Sequence, residues 1–118
     1  MTVDDFVDLL NRCGCENKMV ILKLSATWCK PCQRITPIWK NIIGKYNIDK
    51  VCVVIELDID ESPEIYSKLK RMRMVNGIPA FLMWKPSVDR SNWEIHDNGI
   101  CSSDPNILSL WVDNILHK

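Results

Sequence analysis

The chain reads as an α/β protein built on a central mixed sheet of four strands, or five with an N-terminal edge strand, flanked by helices on both faces. Three observations predict this. Segments with helical spacing alternate with short β-branched runs, two strand-like runs then follow each other across a turn-rich loop, and a run such as Val51–Ile55 has the composition of a buried strand. The resulting order is α-β-α-β-α-β-β-α. It contains no repeat, linker or low-complexity stretch, so residues 1–118 are expected to form a single domain.

Each element has a local reason. Thr2 can cap a helix whose apolar positions Val3, Phe6, Val7, Leu9 and Leu10 share one face, and Gly14 should stop it. Met19–Ser25 is a short β-rich run. From Pro31, the residues Ile35, Ile38, Trp39, Ile42, Ile43 and Tyr46 follow helical spacing, with Pro37 expected to bend the helix by removing a hydrogen bond. Lys50–Asp60 reads as a strand. Ser62 should cap a helix with Pro63 at its first position, ending near Arg73. Ile78–Trp84 and Asn92–Ile100 are expected to pair as a hairpin across residues 85–91, and Asp104–Pro105 opens a last helix.

Bulk properties exclude several function classes. Fifteen basic residues balance fifteen acidic ones, which gives no electrostatic footprint for nucleic acid or an anionic membrane. The apolar runs are far too short to span a bilayer. The N-terminus carries Asp4 and Asp5 where a signal peptide would carry bases, so a cytoplasmic location is expected. Six cysteines in 118 residues fall below the density of a disulfide scaffold. In a reducing compartment, the Cys29-x-x-Cys32 pair is then catalytic or metal-binding before it is structural.

The segment "ATWCKPC" between the first strand and the long helix, the further Pro37, "LDID" closing a strand and "NGIPAF" opening another resemble thioredoxin. The resemblance covers essentially the whole chain and implies a thioredoxin fold and a protein thiol–disulfide oxidoreductase, most simply a disulfide reductase needing no cofactor. It implies that Cys29, at a helix N-terminus that favours an anion, is the attacking thiolate, and that Cys32 resolves the mixed disulfide. Pro31 would fix the backbone between them, Lys30 would place a positive charge beside the thiolate, and Trp28 would shield the pair. Gly77, Ile78 and Pro79 would form the cis-proline segment, with the Ile78 backbone free to bond an extended substrate. Implied partners are disulfide-containing client proteins and an electron-donating reductase or small thiol.

Three departures from the family stand out. Where thioredoxins bury an aspartate that helps the second cysteine lose its proton, this chain has Lys23. Where the family has the partner lysine, it has Glu56. The charges are exchanged, and a Lys23–Glu56 pair is expected because a lone buried charge is costly. Glu56, directly or through water, is the favoured proton acceptor for Cys32. A desolvated, neutral Lys23 is the competing candidate, and an ion pair with no catalytic part is the plain alternative. Without the family's extra N-terminal strand, Val51–Leu57 would be a bare edge, inviting a weak homodimer. The third departure is a longer helix before Pro79. Its Lys68, Lys70, Arg71 and Arg73 read as a solvated face before a preference for acidic substrates.

Rival readings are a disulfide isomerase or oxidase, because Lys30 stabilises the thiolate, and a binding module that merely retains the cysteines. Four thiolates from Cys13, Cys15, Cys29 and Cys32 could also hold zinc, although Cys13-x-Cys15 is a poor chelating spacing. Cys52 reads as a buried hydrophobe, Cys101 as a surface or half-buried thiol, and Trp39 and Trp111 as core. His96 and His117 are given no role.

Overall fold

Thr2 and Asp5 close a reciprocal capping box: Asp5 N–H donates to Thr2 Oγ1 at 3.1 Å and Thr2 N–H donates to Asp5 Oδ2 at 3.0 Å. Helix α1 (Val3–Cys15) starts there and buries Phe6, Leu10 and Cys13. The computed structural model describes residues 1–87 and 92–116. In it α1 is followed by β1 (Met19–Ser25), α2 (Lys30–Tyr46), a four-residue α3 (Ile48–Val51) and β2 (Cys52–Asp58). Then come α4 (Pro63–Arg71), β3 (Ala80–Trp84), β4 (Asn98–Cys101) and α5 (Pro105–Leu116).

The four strands lie in the order β2-β1-β3-β4. β1 is parallel to β2 and antiparallel to β3, and β4 is antiparallel to β3. The sheet is therefore mixed, as expected. Period-two alternation along β1 divides the core. Val20, Leu22 and Leu24 point into a cluster with Phe6, Leu10, Ile65 and Leu69 from α1 and α4. Ile21 points the other way, joining Ile35, Trp39, Phe81, Leu108 and Trp111 beneath α2 and α5. By the same alternation Lys23 faces α2. That one lysine is what the site inherits from the fold.

Several boundaries differ from the sequence-based expectation. The lead into β2 winds into α3, because Asn47 takes the left-handed conformation that ends α2 and buries Ile48 (φ 51°). β3 begins at Ala80, because the preceding Pro79 gives the ladder no N–H; the Ile78–Pro79 bond is cis. β4 is confined to Asn98–Cys101. The preceding Asn92–Asp97 is spent on turns, with Trp84 Nε1 donating to the Trp93 carbonyl at 2.7 Å and Lys85 N–H to Asp97 Oδ2 at 2.6 Å. His96 therefore sits in this turn and not in a strand. Ser62 occupies the N-cap position of α4 but makes no cap hydrogen bond; its hydroxyl accepts from the Met1 ammonium at 3.2 Å. α4 ends at Arg71, two residues before Arg73, whose positive φ of 60° turns the chain. Residues 88–91 of the expected hairpin loop and His117 lie outside the described residues.

Candidate active site

β1 ends at Ser25, and the chain folds back immediately: Cys29 N–H donates to the Ala26 carbonyl at 3.2 Å. Gln33 ties this turn to the helix, its amide donating to the carbonyls of Ala26 and Thr27 at 3.1 and 3.3 Å. Cys29 is thereby the N-cap of α2. Its Sγ accepts from the Cys32 N–H at 3.2 Å, where the unpaired amides and dipole of the helix favour negative charge on sulfur. Cys29 and Cys32 are joined as a disulfide with Cα atoms 5.2 Å apart. Cys29 retains 6% exposure and Cys32 none. A partner approaching from solvent meets Cys29 first, which is the asymmetry an attacking and a resolving sulfur require.

Two features frame the pair. The exposed Trp28 indole donates to Asp60 Oδ2 at 2.7 Å, pinning the ring to the turn after β2. Opposite, Pro31 and the segment Gly77–Pro79 line a cleft of about 350 Å³ whose far wall holds Cys101 and Ser102. Underneath, Lys23 is 1% exposed. Its ammonium donates to Thr36 Oγ1 at 2.6 Å and to Glu56 Oε1 at 3.2 Å, and Thr36 Oγ1 donates onward to the Cys32 carbonyl at 2.8 Å. Lys23 and Glu56 are register partners on the parallel strands, so the ion pair follows from the sheet itself.

A disulfide at this strand-to-helix junction beside a cis-proline segment narrows the candidates, and comparison with known proteins decides between them. The family profile described as Thioredoxin matches residues 1–98. The chain belongs to the thioredoxin family. It is 33% identical to thioredoxin H2-2 of Oryza sativa subsp. japonica over 69 residues, which cover 58% of this chain and 46% of that protein. It is 30% identical to a thioredoxin of Rickettsia bellii (strain RML369-C) over 95 residues, covering 80% of this chain and 79% of that one. The chain thus spans only about half the length of the rice relative. Among solved structures, thioredoxin from Trypanosoma brucei brucei superposes with a TM-score of 0.72 at 18% identity, covering 100% of this chain and 91% of its own, a likeness of fold.

Within this thioredoxin-family site, the structure brings together Trp28, Lys30, Pro31, Cys29 and Cys32 around the helix N-terminus, and Lys23 with Glu56 beneath it. The residues of the zinc alternative are not gathered: Cys13 is buried on the α1 side of the sheet, Cys15 is exposed, and no cluster of three or more metal-ligating side chains occurs among the described residues. Burial pushes the Cys52 thiol up to about 11 and raises Cys13 as well, keeping both protonated and unreactive at neutral pH. Burial lowers the His96 imidazole, consistent with a packing role against Trp84. Trp39 and Trp111 are core, as expected.

Three residues escaped the sequence reading. Asp60 lay inside the noted "LDID" stretch, but nothing in the sequence aims it at Trp28. Gln33 reads as an ordinary helix former. Thr36 precedes Pro37, and only its position four residues after Cys32, one turn up the helix, signals a hydroxyl near the Cys32 carbonyl.

Proposed function

We propose that this chain is a protein thiol–disulfide oxidoreductase, and that it acts chiefly as a reductase of client-protein disulfides. The observation that carries the reading is the disulfide at the α2 N-terminus, with Cys29 accepting a helix N–H and keeping 6% exposure while Cys32 is fully enclosed. In the reduced protein, Cys29 thiolate attacks one sulfur of a client disulfide, forming a mixed disulfide and expelling the other client sulfur as a thiolate, which takes a proton. Cys32 gives up its proton and attacks Cys29 Sγ, the second client sulfur leaves and is protonated, and the Cys29–Cys32 disulfide returns. The client gains two electrons and two protons; a reductase or a small thiol restores the dithiol.

The roles we assign follow from position. Glu56, at the rim of the site, takes the Cys32 proton directly or through water, and Lys23 compensates the charge. Trp28, Lys30 and Pro31 flank the reacting sulfur, and the Gly77–Ile78–Pro79 segment receives the extended client chain. A reducing cytoplasmic setting suits a reductant, and no helix among the described residues is long and apolar enough to cross a membrane. We also assign to β2, the sheet's outer strand with Val53, Val54 and Ile55 half-buried, the weak self-association expected of a bare edge. Sedimentation in which the apparent mass is independent of concentration would remove that part.

The deciding measurement is the reduction potential of the Cys29–Cys32 pair in redox buffers, with turnover of a disulfide client alongside. A value near roughly −270 mV with turnover supports a reductase; one near about −180 mV or above indicates isomerase or oxidase chemistry. Failure of Cys29 to form any mixed disulfide would leave only a binding module.

A further inference from the structure

We propose that Thr36 is a positioning residue: its hydroxyl holds the Lys23 ammonium against the first turn of α2, where the positive charge stabilises Cys32 as a thiolate for the resolving step. The inference rests on the oxidoreductase reading and assigns a cause to its second step.

The hydrogen-bond chain has a single consistent direction. An ammonium can only donate, so Thr36 Oγ1 must accept from Lys23, and the hydroxyl proton is left for the Cys32 carbonyl. Both contacts are short, 2.6 Å and 2.8 Å, while Lys23 to Glu56 is 3.2 Å. The ammonium thus sits closer to the hydroxyl than to its own counter-ion. The Glu56 side chain is 45% exposed, so it draws the lysine outward, toward the β2 edge and water. Thr36 draws it inward, to within two hydrogen bonds of the Cys32 peptide. A cation held near a thiol in a poorly solvated place favours the charged form, and the effect falls quickly with distance.

The other charges around Cys32 are few. Glu56 and Asp58 alternate onto the same face of β2, Cys29 shares the helix turn, and the register partner of Lys23 on β3 is the apolar Phe81. The aliphatic neighbours of the Cys29–Cys32 cluster are Ala26, Ile59 and Ile78. Lys30 and Arg34 flank Cys32 in sequence on α2 but are exposed and screened by water, whereas Lys23 is buried, so its placement bears most directly on the Cys32 sulfur.

The test follows the carbon-13 shift of Cys32 Cβ against pH in the fully reduced protein, which reads Cys32 whether or not any client is reduced. Thr36→Val should move the Cys32 midpoint upward by about one pH unit, a tenfold loss of thiolate below the midpoint. Thr36→Ser should restore it, and Thr36→Val should add no further movement in a Lys23→Met background. If Thr36→Val does not fold, Thr36→Ala is read in the same way. An unmoved midpoint, or an equal movement with and without Lys23, overturns the proposal. If the variants show these shifts while the wild-type protein reduces no client, the functional reading falls and the positioning role stands.

Discussion

At the scale of single residues, the site turns on an uneven ion pair. Lys23 is enclosed while Glu56 is nearly half exposed, so the two partners carry different costs if removed. Glu56→Gln strands a buried ammonium with a neutral amide and should destabilise the protein by about 1–3 kcal/mol in urea unfolding. Lys23→Met removes the buried charge and returns Glu56 to water, so its cost should be smaller, within about 1 kcal/mol of zero. If Lys23→Met proves the costlier of the two, the bonds to Thr36 and Glu56 outweigh the cost of burying the ammonium. A second residue-scale expectation concerns the free thiols. With Cys52 raised to about 11 by burial, its thiolate is about one part in a thousand at pH 8. Iodoacetamide on the oxidised protein should therefore modify the exposed Cys15 and Cys101 first and leave Cys13 and Cys52 for the unfolded chain. Peptide mass mapping at timed intervals checks the order, and early labelling of Cys52 would contradict its placement inside β2.

At the scale of elements, close packing of β4 sets a sharper constraint than its hydrogen bonds do. Gly99 lies opposite Leu82 in the ladder, and a Cβ built on it would come within 2.7 Å of Leu82 Cδ2 and 2.8 Å of His96 Nε2. Gly99→Ala must push both aside, and a loss of about 1–3 kcal/mol in thermal or urea unfolding is expected. An unchanged midpoint would mean that the Asn92–Asp97 turn yields freely. The same turn shows where the sequence stops being legible. Periodicity located every helix on which the site depends, and once β1 is a strand its two-residue period puts Lys23 on the face of Ile21. It misassigned Asn92–Asp97 because Trp93 and Ile95 are as apolar and bulky as strand residues, and only the tertiary bond from Trp84 Nε1 to the Trp93 carbonyl bends that segment into a turn. Thr36 and Asp60 were invisible for a related reason. Their significance lies in partners on other elements, Lys23 and Trp28, and no local pattern carries that information.

At the scale of the whole molecule, folding and redox poise are linked by one cycle. The stability difference between oxidised and reduced protein equals the difference between the free energies of forming the Cys29–Cys32 disulfide in the native and in the unfolded chain. The native fold already holds the two Cα atoms 5.2 Å apart, whereas the unfolded chain must bring them together. By the chain-entropy estimate that closure is worth about 2 kcal/mol for so short a loop. Opposing it, the helix N-terminus at Cys29 and the Lys23 ammonium beneath Cys32 stabilise thiolates, which exist only in the reduced form. For a reductant the first effect must win. The oxidised protein should then melt above the reduced one by several degrees, since about 1 kcal/mol corresponds to roughly 4 °C in a chain of this size. Each 1.4 kcal/mol of that difference places the native potential roughly 30 mV below that of the unfolded dithiol. Paired calorimetric melts, with and without a strong reductant, therefore read the direction of electron flow without any client. A reduced protein that melts higher than the oxidised one would mark the chain as an oxidant, because its thiolates would then be the state that the fold protects.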